Sequence, residues 1–167
     1  MRKTTSSYSA FDSALNYLSY KDRTIKEIQA KLKEKGYLCN EIDDAVDKLI
    51  YYGYVDEDKY AESYIKSNIS KKSKKLISQE LINKGLDLDT IEGQLDDMEY
   101  HESAVIFNII DRRFSQADFD DIKVYRRACA YLMRRGFQYD AISKALSFYR
   151  KIYKNNLVLW YKLHKII

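Results

Sequence analysis

The amino-acid sequence predicts an all-α protein made of three tandem three-helix repeats in an elongated array. Proline is absent and only five glycines occur among the 167 residues. Because these two residue types break helices and mark the turns of sheets, their scarcity favours helices along the whole chain. Hydrophobic residues make up 46% of the sequence, which is enough for a substantial buried core.

A helix–glycine–helix joint that occurs three times predicts the repeats. The three copies read Leu32-x-x-Lys35-Gly36-x5-Ile42, Leu81-x-x-Lys84-Gly85-x5-Ile91 and Leu132-x-x-Arg135-Gly136-x5-Ile142. Their glycines lie 49 and 51 residues apart, a period typical of helical repeat proteins. A helix commonly ends at a glycine in the left-handed conformation, which costs a residue with a Cβ about 1 kcal/mol. We therefore expect each copy to join two helices.

Each repeat is also predicted to begin with a helix of its own. The apolar spacing places these first helices at residues 9–19, 56–68 and 102–114. The second helix of the first repeat starts at a capping box formed by Thr24 and Glu27, which contributes on the order of 1 kcal/mol. After the glycines, the third helices are predicted to start at N-cap residues of the usual types, namely Asn40, Asp89 and Asp140.

These elements predict the organisation of the chain. We expect an N-terminal extension at residues 1–7, repeats at 8–55, 56–100 and 101–150, and a C-terminal helical tail at 151–167. The tail contains the run LVLWYKLHKII, and we expect Trp160 and its neighbours to dock on the third repeat. Most of the 16 tyrosines are expected in the core or at its edge.

Composition indicates a cytoplasmic protein and gives no sign of an enzyme. Two widely separated cysteines, Cys39 and Cys129, and the lack of a secretory signal indicate a reducing compartment. No apolar run approaches the roughly 18 residues of a membrane span. The histidines, His101 and His164, are far apart, and no phosphate loop or nucleophile motif occurs. We therefore expect no catalysis, no metal and no cofactor.

A helix–turn–helix protein that reads duplex DNA is one alternative to a regulatory repeat protein. Its second helix would enter the major groove, but here the helices after the glycines begin EIDDAVD and TIEGQLDDME. Phosphates would repel these carboxylates, and the formal net charge of +4 is mild. A general helical-repeat module that binds other proteins is a further alternative.

Three segments carry a resemblance to a known family. They are YYGYVDEDKYAESYI at residues 51–65, then LINKGL, then LMRRGFQYDAI. In this order they resemble the joint between the first and second repeats, and the later repeats, of RecX proteins, and the similarity covers roughly residues 10–150. The resemblance implies a non-catalytic array of three-helix repeats that modulates the RecA recombinase. RecX proteins usually bind the RecA filament on single-stranded DNA and restrain it.

Basic residues recur at one position of the repeats, ten residues before each glycine, as Lys26, Lys75 and Arg126. Near the start of a helix the dipole disfavours a cation, and the helical spacing points these residues away from the core. We hypothesise that they form a cationic row that contacts acidic recombinase surface or DNA phosphates. The flanking members of the predicted contact surface are Lys71, Lys72, Lys74 and Arg127. By contrast, Lys35, Lys84 and Arg135 at helix C-termini are explained by the dipole alone.

Overall fold

A computed structural model describes residues 8–115 and 117–164, with side chains described as far as residue 152. Over these residues all regular structure is helical, which confirms the predicted all-α class. The helices are α1 Ala10–Leu18, α2 Ile25–Glu34, α3 Cys39–Tyr51, α4 Glu57–Asn68, α5 Lys74–Asn83, α6 Leu88–Asp96, α7 Glu102–Phe114, α8 Ile122–Met133 and α9 Tyr139–His164. The predicted first helices of the repeats correspond to α1, α4 and α7.

The three repeated glycines adopt the predicted left-handed conformation. Their φ angles are 88° at Gly36, 100° at Gly85 and 84° at Gly136. In each case the N–H after the glycine donates to the carbonyl five residues earlier, as from Tyr37 to Leu32 at 3.3 Å. This is the Schellman ending, which satisfies carbonyls that the helix would otherwise leave unpaired. Gly53 ends α3 in the same way with a φ of 72°.

The predicted N-caps of the third helices are wrong by two residues. The N-cap of α3 is Leu38 and that of α6 is Asp87, whose carboxylate accepts from the Thr90 N–H at 2.8 Å. Asn40, Asp89 and Asp140 instead occupy the second position of α3, α6 and α9. The left-handed glycine turns the chain so tightly that only one residue separates it from the N-cap. Asp89 and Asp140 lie in the first turns of α6 and α9 and so still face the positive end of the helix dipole.

The chain divides into two compact units. The first contains the residues up to Ser67 together with Ser78–Met98, and the second contains Asn68–Ile77 together with the chain from Glu99 onward. In the first unit α1, α2 and α3 pack on one another around a core that includes Ile28, Leu32 and Leu49. In the second unit α7, α8 and α9 pack around Ile106, Ile110, Leu132, Ile142 and Leu146.

The middle repeat contributes to both units, because the boundary between them falls inside α5. Ala61 and Ile65 of α4 and Leu81 of α5 are buried. The Tyr64 hydroxyl donates to the Glu80 carboxylate at 2.8 Å, which links α4 to α5. Burial, together with this hydrogen bond, raises the pKa of Tyr64 to about 12.

Helix α9 runs without a break through residue 150, where the sequence suggested the start of a tail. The predicted domain boundaries as a whole stay a prediction. The N-terminal extension at 1–7 lies outside the described residues, and so does the side chain of Trp160, so its predicted docking also stays a prediction.

Candidate functional site

The start of α2 is attached to the end of α5 by a buried hydroxyl. Thr24 is 0% exposed, and its Oγ1 donates to the Lys84 carbonyl oxygen at 2.7 Å. Thr24 Oγ1 also accepts from the Glu27 N–H at 3.2 Å, while the Glu27 carboxylate accepts from the Thr24 N–H at 3.2 Å. The predicted capping box is therefore confirmed. It also serves a purpose beyond its own helix, because it anchors α2 on the glycine joint of the following repeat.

An ion pair crosses the same joint. The Lys84 ammonium lies 2.8 Å from Glu27 Oε1, and both side chains are about one quarter exposed. The hydrogen bond to Glu27 raises the pKa of Lys84 above its usual range. Burial opposes ionisation of Glu27, but hydrogen bonds from Lys84 and Thr24 outweigh it and lower the pKa of that carboxyl. Lys84 therefore has a specific partner, and the helix dipole alone does not account for it.

The start of α5 is attached to the end of α8 by an equivalent joint. Ser73 stands twelve residues before Gly85, as Thr24 does before Gly36, and it is 2% exposed. Its N–H donates to the Arg135 carbonyl at 2.9 Å, and its Oγ accepts from the Leu76 N–H at 3.1 Å. A Cβ added to Gly136 would lie 2.4 Å from Ser73 Oγ, so glycine is required for this close approach.

The two joints differ in the side chain that faces the cation. Nine residues before the repeat glycine, the first repeat has Glu27 and the second has Leu76. Lys84 has the Glu27 carboxylate within hydrogen-bond distance, whereas Leu76 lies against Gly136, where an added Cβ would be 2.6 Å from the Leu76 Cβ. The Arg135 guanidinium carbon instead lies 3.7 Å from the ring centroid of Tyr131, a cation–π contact.

Arg135 lines a cleft together with several other basic side chains. The cleft has a volume of about 480 Å³, and its described lining contains no Asp or Glu. The lining residues are Ser70, Lys71, Asn108, Ile109, Arg112, Arg113, Tyr131 and Arg135. Arg112 and Arg113 extend from the last turn of α7, where the negative end of the helix dipole favours them. The Arg113 guanidinium carbon lies 4.4 Å from the centroid of the Tyr131 ring.

The predicted contact residues are distributed over both units. Lys26 lies in the first unit, and the other predicted residues lie in the second. Lys26, Lys75 and Arg126 are exposed, as the sequence predicted. Of the predicted set, only Lys71 is among the described residues that line the cleft. Lys74 contacts the Tyr100 ring at 5.7 Å from its centroid.

Only two members of the predicted row lie near the start of a helix, where the dipole disfavours a cation. Lys26 and Lys75 are the second residues of α2 and α5, but Arg126 is the fifth residue of α8. The N-cap of α8 is Asp121, three residues earlier in the repeat than the N-cap of α2. Arg126 is therefore not near the start of its helix. Lys26 moreover donates from Nζ to the Asn83 carbonyl at the end of α5, at 3.0 Å, which gives it a structural role.

Arg112, Arg113 and Tyr131 were not predicted to be functional residues. The position of Arg135 at a helix C-terminus was explained by the helix dipole alone. The adjacent arginines in DRRF and the pair in MRRG are visible signals, because both close a helix of the third repeat. Nothing in the sequence alone places them in one cleft. Tyr131 is half-buried and packs against the core of its unit, as expected for most tyrosines. Six other tyrosines with described side chains are exposed, namely Tyr8, Tyr20, Tyr51, Tyr52, Tyr54 and Tyr139.

Among the residues with described side chains, no cluster of three or more His, Cys, Asp or Glu residues is arranged to hold a metal ion. Over the same part of the chain, no helix combines the length and the apolar character that crossing a bilayer requires.

Comparison with known proteins relates all three repeats to one family. The family models described as the first, second and third three-helix domains of RecX match residues 10–49, 56–93 and 102–146. These matches confirm both the predicted repeats and the resemblance noted in the sequence.

Individual relatives agree with these matches. "Regulatory protein RecX" of Finegoldia magna is 33% identical over 145 residues, covering 83% of this chain and 70% of that protein. The protein of the same name from Legionella pneumophila is 32% identical over 136 residues, covering 81% and 91%. The crystal structure of RecX from Lactobacillus salivarius is 27% identical, with a TM-score of 0.62, and covers 83% of this chain and 92% of that one. The chain therefore belongs to the RecX family of regulatory proteins.

Proposed function

We propose that this chain binds the RecA recombinase filament on single-stranded DNA and mainly inhibits its recombinase and ATPase activities. It would act in recombination, DNA repair and SOS control as a cytoplasmic monomer, without catalysis or a cofactor of its own. The observation that carries this proposal is the match of three successive RecX three-helix domains along the chain. The RecX resemblance itself implies the RecA partner and the direction of the effect.

A chain of repeated modules suits a polymeric target. When several linked modules each make a weak contact with a periodic polymer, the contacts add through effective concentration. In this proposal the exposed Lys75 and Arg126, together with Lys26, supply such contacts to phosphates or carboxylates of the filament. Charge complementarity would then set the orientation of the protein and speed its association.

Sedimentation with RecA filaments on single-stranded DNA tests the proposal. We expect the chain to sediment with the filament and not to bind free duplex DNA. It should also slow ATP hydrolysis by RecA, and this inhibition should weaken as the salt concentration rises. Binding to free duplex with no effect on the filament would contradict it and favour the helix–turn–helix alternative.

A charge-reversed variant tests the proposed contact row. Lys26→Glu, Lys75→Glu and Arg126→Glu together should remove inhibition at unchanged helical content, while loss of the hydrogen bond from Lys26 to Asn83 should lower the melting temperature slightly. The matched control reverses three other exposed lysines, Lys33, Lys48 and Lys123, and changes the net charge by the same amount. If both variants inhibit equally well, the row is not the contact surface.

A further inference from the structure

The cleft of the third repeat concentrates positive charge. Arg112, Arg113 and Arg135 converge on it, Lys71 adds a fourth basic residue, and the described lining contains no carboxylate. Arg135 is half-buried and the other three are exposed, and like charges brought close together repel one another, which raises the free energy of the protein. An anion in the cleft would relieve that repulsion, so the arrangement indicates a binding site.

The comparison of the two joints supports this interpretation. At the end of α5, Lys84 is held by Glu27 and serves the structure. At the end of α8, Leu76 occupies the position equivalent to Glu27, and the Arg135 guanidinium lies on Tyr131 at the edge of the cleft. The Ser73 N–H donates to the Arg135 carbonyl, and the Arg135 side chain lines the cleft.

Arginine in this setting favours phosphate. A guanidinium group presents a planar fork of N–H donors that matches two oxygens of a phosphate, and stacking on an aromatic ring leaves those donors available at its edge. Tyr131 is in contact with two guanidinium groups, so it orients them both. The cleft therefore offers donors for oxyanions. We do not expect the ring to serve as a stacking platform for bases.

We propose that this cleft binds the phosphodiester backbone of a single-stranded nucleic acid. The choice of a single strand rests on the proposed function and on shape. A flexible strand can bend its backbone into a concave cleft and bring successive phosphates to several arginines. A duplex is stiff, with a persistence length of about 150 base pairs, and presents its phosphates on a convex surface. Because the contacts are to the backbone, oligo-dT and mixed sequences should bind alike.

Fluorescence anisotropy with a labelled 15-nucleotide oligo-dT and the full chain, without recombinase, tests the site. Arg112→Glu with Arg113→Glu should weaken binding about 10-fold or more, and should reduce the slope of log K against log salt by about 1.4, or about 0.7 for each lost phosphate contact. The control is Lys123→Glu with Lys151→Glu, which changes the charge equally at exposed residues outside the cleft. An equal loss in the control would mean diffuse attraction and would overturn the proposal.

A second pair of variants leaves all arginines in place. Leu76→Glu should recreate at Arg135 the ion pair that Glu27 makes with Lys84, and so should weaken oligo-dT binding several-fold at unchanged helical content. Leu76→Gln, which has nearly the same shape without the charge, should bind like the parent chain. If Leu76→Glu binds as tightly as Leu76→Gln, Arg135 does not contact the ligand.

The positioning role of Tyr131 has its own test. Tyr131→Phe keeps the ring face and should preserve both the affinity and the salt slope, whereas Tyr131→Leu should reduce both.

Equal affinity for a duplex of the same length would overturn the single-strand assignment. If poly-glutamate displaced labelled oligo-dT as well as unlabelled oligo-dT does, the inference that the cleft prefers phosphate to carboxylate would be overturned. Because RecA is absent from these assays, their failure would leave the filament proposal standing, and failure of the filament assay would leave the cleft standing.

Discussion

Thr24 of the first repeat donates a 2.7 Å hydrogen bond to the backbone carbonyl of Lys84, sixty residues further along the chain. Ser73 occupies the equivalent position of the second repeat and binds the carbonyl of Arg135. Thr24 uses its hydroxyl for this bond and Ser73 uses its backbone N–H, so in both joints the start of the second helix of one repeat is anchored on the glycine joint of the next. The repeated joint therefore ends a helix and also provides a docking point.

Replacing Thr24 by Val should destabilise the protein by about 1 to 3 kcal/mol. The change keeps the shape of the side chain but removes the partner of the Lys84 carbonyl and of the Glu27 N–H, and unsatisfied buried polar groups are costly. Urea denaturation measures the loss. Thr24→Ser retains the hydroxyl and should lose much less, and a similar loss in both variants would show that the hydroxyl is unimportant.

Gly85→Ala should cost more than Gly53→Ala, although both glycines are left-handed. A Cβ at Gly85 would lie 2.6 Å from Lys26 Cβ, whereas a Cβ at Gly53 would meet nothing within 4 Å. We expect about 1 kcal/mol of backbone strain at Gly53, and a further 1 to 3 kcal/mol or so from overpacking at Gly85. Thermal unfolding of both variants checks the difference. Equal melting temperatures would mean that α2 does not approach the joint this closely.

Gly93→Ala should stabilise the protein by about 0.5 to 1 kcal/mol. Gly93 lies inside α6, and an added Cβ would meet nothing within 4 Å. Alanine reduces the conformational entropy of the unfolded chain and favours the helix. A rise in the urea midpoint at an unchanged m-value is the expected result. A fall would contradict the position of this residue inside an exposed helix.

Glu27→Gln should reveal the pH dependence of the Glu27–Lys84 pair. The pKa of Glu27 is lower in the folded protein than its ordinary value of 4.5. Its ionised form therefore stabilises the fold above that ordinary value, and the contribution disappears as the pH falls through the lowered folded-state pKa. The variant should be less stable than the parent chain by about 1 kcal/mol at pH 7, and this difference should shrink below pH 4.5.

A difference between the two chains that stays constant from pH 7 to pH 3 would contradict this account of the pair. The contribution of Lys84 to stability depends on pH in the opposite direction, because its pKa is raised in the folded protein. Its contribution is complete below its ordinary value of 10.5 and is lost only as the pH rises through the higher folded-state value.

The sequence alone determined the helical class, the three repeats and the conformation of the repeated glycines. These properties are local. Apolar residues at helical spacing define a helix, and a left-handed C-terminus is usually a glycine, because a residue with a Cβ is strained there. The Thr24–Glu27 capping box was predictable for the same reason, because its two residues lie within one helical turn. The N-caps after the glycines were missed by two residues because the Schellman turn is tighter than the sequence pattern suggested.

Only the tertiary structure decided which basic residues are paired and which line a cleft. Lys84 and Arg135 occupy the same position of the repeat, yet Lys84 meets Glu27, which lies 57 residues earlier, and Arg135 lies on Tyr131 beside Arg113. Nine residues before the repeat glycine, the docking helix carries Glu27 in the first joint and Leu76 in the second. A charge is paired according to what lies beside it in space, and helical spacing cannot show what a docking helix from another repeat brings there.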